Sequence, residues 1–128
     1  MTKKELLMLI GLTGLAFAEF YYMKDFSDSL YGPPNISKGE LAFNMNCAAC
    51  HGEKGLGDGI MSKAIAIKPD NIYQELTDPF SFKAELINSV LDGDISQDGV
   101  MPAFRGALTV EQINDIFGYI VHINEAES

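Results

Sequence analysis

The chain has 128 residues and carries nine Lys and Arg against eighteen Asp and Glu, a formal charge of −9. That acidic excess argues against nucleic acid as a partner and against docking on anionic lipid headgroups. The length suits one small domain plus an appendage, and an apolar content of 47% is ordinary for a globular chain.

Lys3 and Lys4 precede an almost unbroken apolar run, Leu6 to Ala18, which reads as an export signal in either of two forms. In one, residues 1–23 stay as a transmembrane anchor. Leu6–Met23 would span about 27 Å as a helix, just enough for a bilayer core. Phe20, Tyr21 and Tyr22 would then form an aromatic belt, and the two lysines would hold the N-terminus inside. In the other, Ala16-Phe17-Ala18 is a small-x-small cleavage site and the mature chain starts at Glu19. The anchor is our expectation, with the cleaved signal as its alternative. Both deliver the rest of the chain outside the cytoplasmic membrane.

Residues 24–36 read as a linker, because Gly32-Pro33-Pro34 blocks helix continuation; a strap packed through Tyr31 and Ile36 is the other possibility. A domain over residues 37–128 follows. Ser37-Lys38-Gly39-Glu40 is a capping box that predicts a helix from Lys38 to Cys47.

Cys47-Ala48-Ala49-Cys50-His51 comes next, the Cys-x-x-Cys-His spacing of c-type haem attachment. Two thiols at that spacing add to the porphyrin vinyl groups, and the adjacent imidazole can ligate iron. Cys47 and Cys50 are the only cysteines. A thioredoxin-like pair would need a βαβ pattern, and half a zinc site would need further ligands, but only one other histidine exists. One covalently attached haem c is therefore expected. Gly52, Gly55, Gly57 and Gly59 mark a loop without the strand–loop–helix order of a phosphate cradle.

Further along, a short helix is predicted over Ile60–Ile67 and a turn over Asn71–Leu76. Asp78-Pro79 predicts a helix start running to Leu91, with Phe82, Leu86, Ile87 and Val90 facing inward before the stop at Gly93. Thr109-Val110-Glu111-Gln112 is a second capping box, leading a helix whose Ile113, Ile116, Phe117, Ile120 and Ile123 keep helical periodicity. No strand alternation stands out, so the expected fold is all-α, three to five helices behind the N-terminal one.

These residues together resemble class I cytochromes c over roughly residues 37–124. Gly39 and Phe43 precede Cys47 at four-residue intervals on one helix face. Ile116 and Tyr119 match the pair that the family's last helix presses against that glycine. Gly99-Val100-Met101-Pro102-Ala103-Phe104 resembles the loop bearing the family's axial methionine. The resemblance implies His51 and Met101 as iron ligands. Met45, Met61 and His122 are weaker alternatives, each with an ordinary packing or surface role to explain it. It also implies that a proline carbonyl, here Pro69, orients His51. Phe43, Phe82 and Phe104 would supply apolar surroundings, and Arg105 and Lys68 are candidates to neutralise the propionates.

A thioether and an imidazole leave no position on the iron for substrate. The expected function is single-electron transfer, not enzymatic catalysis, with no small-molecule substrate. The protein would be a carrier or a subunit of a respiratory or photosynthetic complex. It would sit in the cytoplasmic membrane with the haem domain in the periplasm, or be a soluble periplasmic shuttle if cleaved. Its partners would be redox proteins, for which an acidic surface suits a basic docking patch. A haem enzyme or sensor subunit with a displaceable sixth ligand is the more distant alternative.

Overall fold

The computed structural model describes residues 1–93 and 101–126. Among these, six α-helices and one 3₁₀ turn make up the regular structure, as the all-α expectation requires.

Helix α1, Lys3–Ser29, starts at a Thr2 capping box closed by Glu5 and has no buried residue. It runs past Met23, so Lys24–Ser29 are helical where an extended linker was expected. Gly32-Pro33-Pro34 does end it, and residues 30–35 form a strap held against the domain. Asn114 Nδ2 donates to the carbonyls of Tyr31 and Gly32, and Asn35 N–H donates to Asp115 Oδ1 at 2.7 Å. Tyr31 and Ile36 pack on the core, as the strap reading expects.

Helix α2, Ile36–Asn46, begins two residues before the predicted start. Asn35, not Ser37, is the N-cap, its Oδ1 accepting from Lys38 N–H. Asn35 wins because Asp115 fixes its backbone from the other side, a contact that local capping rules do not include. Helix α3, Ala48–His51, is a single turn. The predicted helix over Ile60–Ile67 is only a 3₁₀ turn, Ile60–Lys63. Helix α4, Ile72–Thr77, is capped by Asn71.

Helix α5, Lys83–Asp92, starts four residues later than Asp78-Pro79 suggests. Asp78 Oδ1 instead accepts from Phe80 N–H at 2.7 Å, a local turn that competes with helix initiation. The N-cap residue of α5 is Phe82, which has no capping group. Asp28 on α1 supplies one, its carboxylate accepting from Lys83 N–H at 3.1 Å. Helix α6, Val110–Glu125, has the predicted Thr109–Gln112 capping box and buries Ile113, Ile116, Phe117, Tyr119 and Ile120.

The core lies where α2 crosses α6, the most extensive helix pair. Gly39 makes the crossing possible: a Cβ there would overlap the Asp115 carbonyl and sit 3.1 Å from Ile116 N. One turn on, the fully buried Phe43 ring packs against Tyr119 with centroids 5.6 Å apart. This crossing forms one wall of the cleft described next.

Candidate functional site

The end of α2 and the turn of α3 place the two thiols and the imidazole. Cys47 N–H donates to Phe43 O at 2.8 Å, so the cysteine still follows the direction of α2. Cys50 and His51 N–H groups both donate to Cys47 O, at 3.1 and 2.9 Å, closing one helical turn. Cys47, Cys50 and His51 all line a single cleft. It is lined as well by Met101, Pro102 and Phe104 and by the apolar Ile113, Ile116 and Phe117 of α6.

The cleft is open at its mouth and lined mostly by apolar side chains, as ligand sites generally are. Burial, with Cys50 as the lesser cause, pushes the Cys47 thiol up from its ordinary 9.0 to about 11. An apolar-lined pair of thiols beside an imidazole suits a flat hydrophobic ring that bonds to both sulfurs. Among the described residues no cluster of three or more His, Cys, Asp or Glu could chelate a bare metal ion.

His51 is oriented by the backbone. Its Nδ1 lies 3.0 Å from Asp70 O. A carbonyl only accepts, so Nδ1 carries the hydrogen and Nε2 keeps its lone pair for a Lewis acid. The expected partner was the carbonyl of Pro69, one residue earlier. The difference is set by the glycine loop beneath: Gly57, at φ +82°, donates to His51 O at 2.9 Å, and a Cβ on it would overlap Pro69 O. The Pro69 carbonyl is therefore pressed on Gly57, and the next one along is offered to the imidazole.

The methionine loop is held by the end of α5. Phe104 N–H donates to Val90 O and Arg105 N–H to Leu91 O, at 3.1 and 2.9 Å. Gly93, at φ +69°, lets the loop close in, since a Cβ there would lie 2.7 Å from both Met101 O and Ala103 N. Gly99 and Val100 of the predicted loop lie outside the described residues.

The alternative ligands lie elsewhere. Met45 and Met61 are 75% and 47% exposed and do not line the cleft. His122 is exposed on α6, also away from it. Of the three phenylalanines, Phe104 lines the cleft and Phe43 packs behind it on Tyr119. Phe82 does neither; it meets Phe20 of α1 edge-on at 5.7 Å. Helical periodicity put it on the inner face, but it falls at the N-cap, outside the helix. Lys68 lines the cleft, whereas Arg105 binds Asp92 through two nitrogens and does not. Sequence reasoning missed the Asp70 carbonyl and the wall made by Ile65, Ile67 and Ile72. The isoleucines were legible only as apolar residues on either side of Pro69, in a predicted helix and a predicted turn; the carbonyl had no side-chain signal.

Known proteins resemble this chain in sequence. Residues 34–120 match the family described as cytochrome c oxidase, cbb3-type, subunit III. Cytochrome c6 of Parathermosynechococcus lividus is 33% identical over 89 residues, covering 68% of this chain and 88% of that protein. Cytochrome c6 of Synechococcus elongatus matches to the same extent. The cbb3-type cytochrome c oxidase subunit FixP of Bradyrhizobium diazoefficiens is 31% identical over 107 residues, 80% of this chain but 34% of that protein. The chain belongs to the cytochrome c family, as a class I monohaem member. It is an electron carrier with covalently bound haem c.

Proposed function

We propose that Cys47 and Cys50 hold the haem through thioethers and that His51 and Met101 are its two axial ligands. The observation that carries this is the shared cleft: both thiols, the imidazole and the thioether side chain line it, and His51 already has Nδ1 committed to Asp70 O. Covalent haem c supplies one-electron redox chemistry between ferric and ferrous iron. The chain's own residues orient the imidazole, exclude water with apolar side chains, and would offer a soft neutral thioether as a second iron ligand. Methionine raises the reduction potential relative to a second histidine. With His51 and Met101 both holding the iron, no position would remain for substrate, and the chain would act as a carrier and not as an enzyme. Lys68 is the cation suited to a propionate.

The test is the weak long-wavelength band of ferric iron bonded to a thioether. It is expected in the parent protein at neutral pH and lost in Met101→Ala. Its absence from the parent, or its persistence in the variant, would overturn the ligand assignment.

We further propose that residues 1–23 stay as a membrane anchor, that 24–36 join them to a haem domain over 37–128, and that this domain faces the periplasm. Helix α1 is long and apolar enough to cross a membrane and buries none of its residues in the domain. An isolated helix exposing that many Leu, Met and Phe side chains needs an apolar surrounding. The likeness to FixP supports a subunit of a membrane oxidase, and the likeness to cytochrome c6 supports a separate carrier. In either role the acidic domain suits a redox partner with a basic docking patch. Intact mass spectrometry separates anchor from signal: a purified protein starting at Glu19 would be the soluble periplasmic shuttle.

A further inference from the structure

We propose that the turn Asp78–Ser81 is a second membrane contact, with Phe80 seated in the headgroup–acyl boundary of the bilayer that α1 crosses. This rests on the anchor reading above, and adds a surface of the haem domain to it.

The argument is one of depth. If Leu6–Met23 spans the hydrocarbon core, Phe20 lies at its outer edge, about 4.5 Å along the axis before Met23. Phe80, far away in sequence, has its ring centroid 5.9 Å from that of Phe20. The Phe80 ring therefore lies within 5.9 Å of the depth of Phe20. Phe80 remains 63% exposed, and Tyr22 at 74% and Phe26 at 58% are exposed aromatics near the same end of the span in α1. Aromatic rings favour this layer, which accepts an apolar body next to polar groups. In water, the same exposed phenylalanine on an exposed turn gains nothing from burial.

The junction is held tightly enough to fix that depth. Phe20 also meets Phe82, at 5.7 Å. Lys24 Nζ pairs with Asp28 at 2.9 Å and lies over the Phe82 ring, 5.7 Å from its centroid. Asp28 caps α5 through Lys83 N–H, and Lys83 Nζ lies over the Tyr31 ring at 5.9 Å. The turn itself is set by Asp78 Oδ1 accepting from Phe80 N–H. These contacts tie helix α1 to the start of α5. A span plus a seated phenylalanine is a two-point attachment, and it holds the haem domain in one orientation on the membrane. The cleft residue Val90 lies seven residues, about 10 Å, along α5 from the docked end at Lys83.

Full-length holoprotein reconstituted in phosphatidylcholine vesicles tests this. Both native cysteines are consumed by haem attachment, so a nitroxide on Phe80→Cys labels a single site; Tyr22→Cys reports α1 itself. The ferrous, low-spin state removes haem paramagnetism, and an unchanged Soret spectrum verifies folding. Collision rates with oxygen and with a water-soluble nickel complex then give depth. The expected result is an oxygen-to-nickel ratio at position 80 raised to that at position 22. A water-like ratio at 80 with a lipid-like ratio at 22 overturns the second contact and leaves the anchor standing. Water-like ratios at both overturn the anchor, and the contact with it. Pro79→Cys, in the same exposed turn, gives the same reading should Phe80→Cys misfold.

Discussion

Gly39→Ala probes the crossing on which the cleft is built. The added Cβ would overlap the Asp115 carbonyl and lie 3.1 Å from Ile116 N. Both are backbone atoms of α6, so no rotamer change relieves the clash. Restoring ordinary contact at about 3.5 Å requires α2 and α6 to part by roughly an ångström or more. That separation loosens Phe43 from Tyr119, a pair only 0% and 7% exposed. Overpacking of this kind costs about 1–3 kcal/mol, offset by about 0.8–1 kcal/mol of helix propensity gained on replacing glycine. Because the clash is with backbone, the upper end of that cost applies, and a net loss of about 2 kcal/mol lowers the melting temperature of a domain this size by roughly 8–16 °C. Thermal unfolding of the ferric holoprotein followed by far-ultraviolet circular dichroism measures it. Gly14→Ala is the control, because a Cβ there meets nothing within 4 Å. An unchanged or raised melting temperature for Gly39→Ala would refute the close-crossing argument.

Asp115→Ala removes the buried acceptor of Asn35 N–H. It should cost about 1.5–3 kcal/mol and release the strap, seen as faster amide exchange over residues 31–36. Asp28→Ala leaves α5 without a cap and should cost about 1 kcal/mol, read as lower protection of the Lys83 and Ala84 amides with the haem spectrum unchanged. Tyr119 has its pKa raised from 10.0, by burial first and then by Glu40 and Glu53. Its neutral form is the one the fold holds, so its contribution is complete below pH 10 and is lost as pH rises through the higher folded value. Tyr119→Phe should therefore flatten the alkaline fall in stability measured by denaturant titration above pH 10, with no change at pH 7. Gly57→Ala should crowd the Pro69 carbonyl and shift the reduction potential measured by redox titration, because that carbonyl fixes which neighbour meets His51.

Cys47-Ala48-Ala49-Cys50-His51 specifies covalent haem by itself, because the attachment chemistry needs only three side chains on one helical turn. Periodicity likewise made the inner face of α6 legible, and its Thr109–Gln112 box fixed where it starts. Local rules failed where a distant segment intervened. Asn35 rather than Ser37 caps α2 because Asp115 holds its N–H, and α5 starts at Lys83 because Asp28 caps it there. Phe82 looked like a cleft residue and instead meets Phe20, which is 62 positions earlier in the sequence. The carbonyl that orients His51 was out of reach for a different reason: it belongs to backbone, whose position depends on the left-handed turn at Gly57. Sequence thus determined the cofactor chemistry and the helices that carry it, since both depend on residues a few positions apart. Only tertiary structure decided which side chains meet in the cleft and how the N-terminal helix is joined to the domain, since those contacts link residues tens of positions apart.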